Sequence, residues 1–286
     1  MQRQNLTFIR TGLLVGLVLS SSACALFSSH QKLTPAEEAA AAARNAPPNP
    51  AASLRAAPPD QVAIYTSLGT AYLQGGHPRA AVRELKQAIS LPGKHGDAYN
   101  ILGLAYQALG QADLAEDAFR SALGEEPDDP QFLNNYGAFL LEQGKFSAAV
   151  EQLSKATKDP LYSTPEFAWT NLAAAYRGLK QENLAIVALQ KALYFKPGYS
   201  PALLLWAEME YQDHDLTAAY GHLQGVLAQE PDNAQALLLA GQISWQQGQQ
   251  VRARSLWERC VNSSPYSAAG KEAQTLLLQH GAGNNG

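Results

Sequence analysis

The sequence predicts an all-α fold, a right-handed superhelical solenoid of six helix–turn–helix repeats with a C-terminal capping helix. Two series of small residues and one filled-out unit predict it. Gly69, Gly103, Gly137, Ala173, Ala207 and Gly241 recur at intervals of 34, 34, 36, 34 and 34 residues. Ala81, Ala115, Ala149, Ala185, Ala219 and Ala253 repeat those intervals in phase. The second unit carries the complete pattern: Leu102-Gly103, Tyr106, a turn at Gly110, Ala115, Phe119, Ala122 and a closing Pro127. A residue without a bulky side chain lets two helices of a pair approach closely, and large apolar residues fill the space between them. Proline opens the next unit without breaking a helix. One such pair cannot bury its apolar face alone, so a period of this length implies stacking.

Taken in chain order, residues 1–23 read as a bacterial secretion leader, with Arg3 and Arg10 in front of an apolar Leu13–Leu19 stretch. That stretch is too short to span a bilayer as a permanent helix. Ser20-Ser21-Ser22-Ala23-Cys24-Ala25 follows. It resembles a lipobox, in which the Cys becomes the lipidated first residue, although Ser21 stands where an aliphatic residue is usual. The same letters also hold an A-x-A cleavage site for ordinary export; a rare Cys just behind the apolar run favours lipidation at Cys24, with soluble export after Ala25 as the alternative. Ala25, with no Asp at that position, implies by the same resemblance transport to the outer membrane, and stable anchoring requires more than one acyl chain.

Residues 24–61 form an Ala- and Pro-rich tether in this reading. Thr34 caps a short Ala-rich helix, and Pro47, Pro48, Pro50, Pro58 and Pro59 keep the remainder extended. The units follow at 62–95, 96–129, 130–163, 166–199, 200–233 and 234–267, with two extra residues between the third and fourth. Residues 268–279 cap the open end, and 280–286 form a frayed tail.

The whole chain of 286 residues carries 21 basic and 25 acidic residues, a net charge of −4. Loss of Arg3 and Arg10 with the leader leaves 19 basic against 25 acidic, or −6. No basic stripe points to nucleic acid. Cys260 occupies a slot filled elsewhere by Ala88, Ala122, Ala156, Ala192 and Val226, and reads as a small buried hydrophobe. The six histidines show no metal-ligand spacing, and no phosphate loop, dinucleotide fingerprint or nucleophile elbow is present. The sequence therefore predicts neither an enzyme nor a cofactor or metal site, and places function on a protein-binding surface. By repeat phase the inner face of the superhelix includes Asn100, Gln107, Asn134, Arg177, Leu204, Glu208, Tyr211 and Trp245. Tyr211 and Trp245 supply an apolar body with a polar tip.

The 34-residue pattern is similar to the tetratricopeptide repeat family. The middle of the chain carries more: Asn134-Asn135-Tyr136-Gly137-Ala138-Phe139-Leu140, then Asp159-Pro160-Leu161-Tyr162-Ser163-Thr164-Pro165-Glu166. These segments resemble the N-N-Y-G-x-F-L and D-P-L-Y-x-T-P-E signatures of the PilF/PilW/Tgl group of type IV pilus biogenesis lipoproteins. The fourth unit departs from that group, with Asn171-Leu172-Ala173 where N-A-G is common. The resemblance implies a pilotin, which binds the outer-membrane secretin and promotes its localisation and multimerisation, with the membrane reached through the N-terminal lipid. A general envelope adaptor that organises cell-wall enzymes is the alternative.

On this reading Asn134, Asn135, Phe139, Tyr162, Thr164, Arg177, Tyr211 and Trp245 are the partner-binding residues. Pro160 arrives one residue early and Leu161 takes the slot of the closing proline, so the widened junction is expected to expose Tyr162. Asn134 and Asn135 are expected to offer their amides to a partner backbone. Neither Asn134 nor Tyr162 is expected to occupy a helix-packing position.

Overall fold

The computed structural model describes residues 59–281, which form thirteen α-helices with no strand among them. The leader, the candidate lipidation site at Cys24, nearly all of the tether and the last five residues lie outside the described residues. The helices come in pairs, one pair per repeat. The first three pairs are α1 (Pro59–Gln74) with α2 (Pro78–Ser90), α3 (Gly96–Ala108) with α4 (Ala112–Glu125), and α5 (Pro130–Glu142) with α6 (Phe146–Ala156). The last three are α7 (Pro165–Gly178) with α8 (Glu182–Phe195), α9 (Ser200–Gln212) with α10 (Leu216–Gln229), and α11 (Ala234–Gln246) with α12 (Gln250–Ser263). A single helix, α13 (Ala268–Gly281), closes the stack. Every helix packs only on helices one or two places away in the chain, as expected of a quasi-one-dimensional solenoid. Turns between units therefore lie along one edge of the molecule and turns within units along the opposite edge.

Local chemistry sets the helix starts. Pro59, Pro78, Pro130 and Pro165 each open a helix, where the fixed φ and the missing N–H are tolerated. Asp129, Asp215 and Asn233 cap α5, α10 and α11, their Oδ1 atoms accepting from the backbone N–H groups of Phe132 (2.8 Å), Ala218 (3.0 Å) and Ala236 (3.0 Å). The array begins at Pro59 rather than residue 62, because that proline starts the first turn. The capping helix ends at Gly281 rather than residue 279. His280, expected in a frayed tail, belongs to α13, and its ring lies 4.0 Å from that of Trp245.

In the four pairs whose periodic small residue is a glycine, it faces a large side chain. A Cβ added at Gly103 would lie 2.7 Å from Phe119 Cδ1, and one added at Gly69 or Gly137 would lie 2.5 Å from Cγ of Leu85 or Leu153. The second periodic series, Ala81 through Ala253, is wholly buried, as is Cys260. The turns within pairs carry Gly76, Gly110, Gly144 and Gly248 at φ between 68° and 76°, but the fourth and fifth units put Lys180 (φ 59°) and His214 (φ 64°) there.

The apolar interior is divided. One cluster runs from Ala81 through the first four units to Ala202 and Met209 on α9, and a second joins the rest of α9 to α10–α13; Leu193 touches both. At the first unit the outer face of α1 is uncovered, with Ile64 60% and Leu68 39% exposed. The equivalent Leu102 and Leu172 are buried beneath a preceding unit.

Candidate partner-binding surface

The first helices of successive units are tied side by side along the inner face. Asn135 Nδ2 on α5 donates to Asn100 Oδ1 on α3 at 3.1 Å, and Asn171 Nδ2 on α7 donates to Asn134 Oδ1 on α5 at 3.0 Å. Farther along, Arg177 on α7 bonds Glu208 on α9 at 2.8 Å. Gln246 on α11 donates to the Tyr211 hydroxyl on α9 at 2.6 Å, and Gln242 on α11 donates to Glu272 on α13 at 2.9 Å. Asn100 and Asn134 are buried, at 1% and 7% exposure. Buried amides left unpaired would cost stability, so these bonds fix the lateral register of the stack.

At the widened junction Asp159 Oδ1 accepts from the Leu161 N–H at 2.7 Å, and the Asp159 carbonyl accepts from the Tyr162 N–H at 3.3 Å. This turn throws Leu161 outward, 89% exposed, and folds Tyr162 inward to 9%, where it packs with Leu133, Ala156 and Ala168. Burial pushes the Tyr162 phenol pKa up, partly offset by Thr164 beside it.

Models of the tetratricopeptide repeat match residues 66–130, 102–163 and 204–268, and a further model of that repeat matches 168–199. The chain belongs to the tetratricopeptide repeat family. The type IV pilus assembly protein PilF of Pseudomonas aeruginosa is 28% identical over 175 residues, which are 61% of this chain and 69% of that protein. The crystal structure of PilW, a widely conserved type IV pilus biogenesis factor, superposes with a TM-score of 0.68 at 28% identity, covering 76% of this chain and 98% of PilW. The structure of Pseudomonas aeruginosa PilF superposes with a TM-score of 0.65 at 25% identity, again over 76% of this chain and 98% of the other.

The tetratricopeptide geometry reassigns several residues that the sequence placed at a partner interface. Asn134 and Asn135 are engaged within the stack rather than presented outward, because the preceding and following units supply asparagines in register. Phe139 is wholly buried, its ring 5.5 Å from Phe119 and 6.3 Å from Tyr136. Tyr162 is internal, so the expectation of an exposed aromatic there is overturned. The expectation that Asn134 and Tyr162 lie outside packing positions fails with it. Trp245 is half-buried, with one side covered by His280. Thr164, Arg177 and Tyr211 remain partly accessible, the last two on the inner face, but the eight residues do not converge on one site. Between the last two units a shallow cleft of about 340 Å³ is lined by Leu204, Leu205, Glu208 and Glu230.

A different set is exposed along the inter-unit edge of the tetratricopeptide array: Leu161 (89%), Phe167 (42%), Tyr194 (78%) and Phe195 (50%). Sequence reasoning missed them, although the signal was present. At the two repeat positions of Tyr194 and Phe195 the other units carry Ser90-Leu91, Gly124-Glu125, Lys158-Asp159, Ala228-Gln229 and Asn262-Ser263. A pair of aromatics in a column otherwise mostly small or polar marks a surface with something to bind.

Proposed function

We propose that this chain is a non-catalytic, lipid-anchored scaffold at the periplasmic face of the outer membrane, acting as a pilotin that brings the type IV pilus secretin to its membrane and promotes its multimerisation. The likeness to PilF and PilW over most of the repeat array carries this reading. A solenoid held by lateral bonds between neighbouring units presents a long surface of fixed register, suited to holding a partner during assembly. The anchor rests on Cys24 and its neighbouring residues.

Deletion of the gene is expected to abolish detergent-resistant secretin multimers while leaving monomer, with restoration by the wild-type copy. Unchanged multimers in the deletion strain would exclude the pilotin role. Palmitate labelling tests the anchor. Cys24→Ser is expected to lose the label and to release the protein to the periplasm, whereas a mature N-terminus at Leu26 would establish soluble export instead.

A further inference from the structure

The two junctions at the middle of the inter-unit edge differ from their neighbours in both polarity and charge. Phe167 and Tyr199 are 5.4 Å apart, Lys196 lies over the Tyr199 ring at 4.9 Å, and Tyr194 and Phe195 meet edge to face at 5.4 Å. Lys196 also reaches Glu166 at 3.6 Å, which joins the third-to-fourth and fourth-to-fifth junctions into one continuous surface. Leu161 and Lys158 extend it on the earlier side and Lys191, one turn before Phe195, on α8; all three are exposed. Neither Lys158 nor Lys191 pairs with a carboxylate among the described residues. The flanking junctions on the same edge are acidic. Glu125, Glu126, Asp128 and Asp129 lie before the patch, and Glu230 and Asp232, the latter 3.8 Å from Arg259, after it; within the patch the carboxylates are Glu166 and Asp159.

We propose that this edge, centred on Leu161, Phe167, Tyr194 and Phe195 with Lys158 and Lys191, docks a protein segment that carries carboxylates among apolar side chains. Exposed aromatics provide the contact area, and the lysines provide the complementary charge. The acidic flanks select a protein segment over a membrane. A flat anionic bilayer broad enough to engage the patch would also meet the carboxylates on both sides of it and be repelled. A segment confined to two junctions escapes them, and the flanks fix where its acidic side chains sit. The inference rests on the scaffold reading only in taking the ligand to be a protein; it does not require the secretin.

The test places the photo-crosslinking residue benzoylphenylalanine at Leu161 or at Tyr194 of the full chain in living cells. Gln107, on the inner face, serves as comparison, and adducts are mapped by peptide mass spectrometry. Adducts from Leu161 and Tyr194 are expected on one protein segment rich in Asp or Glu among apolar residues. Lys158→Glu with Lys191→Glu is expected to cut their yield about tenfold with an unchanged melting temperature. Adducts with lipid alone, no adduct at the edge, or a yield indifferent to charge reversal would overturn the proposal. An edge adduct of this chemistry on a protein other than the secretin keeps the docking surface and removes the secretin reading. A secretin adduct from Gln107 alone does the reverse.

Discussion

Gly103 shows how tightly a single residue is specified in this array. Its absent Cβ is replaced by the ring of Phe119, which is 1% exposed and has nowhere to move. Gly103→Ala is therefore expected to destabilise the protein by about 1–3 kcal/mol through overpacking. Gly124, in the last turns of α4, has nothing within 4 Å of the added atom. Gly124→Ala should stabilise by about 0.5–1 kcal/mol, since only backbone entropy changes. Urea midpoints of the two variants should move in opposite directions, and a rise in both would show that helix propensity rather than packing governs the two sites. Charge acts at the same scale. Lys145 bonds Glu116 at 2.7 Å, and Arg120 reaches it at 2.7 Å. Together they hold its carboxyl below the ordinary glutamate range, with the hydrogen bond from Lys145 the largest cause. Because the folded pKa is lowered, the unfolded chain takes up the proton first on acidification. The stabilisation is complete above about pH 4.3 and is lost as pH falls through the folded value. Lys145→Met should cost a few tenths to about 1 kcal/mol at neutral pH, given the exposure of the lysine. In urea titrations that gap is expected to narrow steadily below about pH 4.

Turns and lateral bonds decide how the elements hold together. Lys180 and His214 take the left-handed conformation that four of the six intra-unit turns assign to glycine. A side chain is strained there by about 1–2 kcal/mol, part of which a glycine loses again to unfolded-state entropy. Lys180→Gly and His214→Gly should each raise stability by about 0.5–1 kcal/mol, read as an upward shift in melting temperature. The Asn134–Asn171 bond joins α5 to α7. Asn134→Ala leaves the Asn171 amide without its acceptor, at a cost of about 1–2 kcal/mol. Asn171→Ala in the same background should then cost little more. A double-mutant cycle with no coupling would show that the bond does not set the register between units. The widened junction behaves as an element too. It was legible in the sequence as two added residues and an early Pro160. Its orientation was not, because an Asx turn rather than residue count decides that Leu161 points out and Tyr162 points in.

For the whole molecule, the division of the apolar interior near α9 implies two halves of unequal dependence on the cap. α13 buries Ala269 and Ala273 against the second cluster, and its His280 stacks near both Trp245 and Trp257. Removal of residues after Ser267 should therefore strip hydrogen-exchange protection from α11 and α12 first. Protection in α1–α6 should stay within about 1 kcal/mol of wild type, as nearest-neighbour coupling in a solenoid requires. Equal loss along the whole array would mean that the stack unfolds as a single unit.

The sequence by itself determined the repeat period, the phase of the helix pairs, the packing role of the small residues and the place of the irregular junction. Each of these follows from steric demands that recur at fixed spacing and leave a periodic trace. Only the tertiary structure decided which polar and aromatic residues face outward. Asn135 meets Asn100 and Asn171 meets Asn134 across neighbouring units. Trp245 meets a histidine 35 residues later on the capping helix, and a two-residue turn exchanges the fates of Leu161 and Tyr162. Repeat phase gives the direction of a side chain from its own helix; whether that direction ends in solvent depends on what the next unit places there.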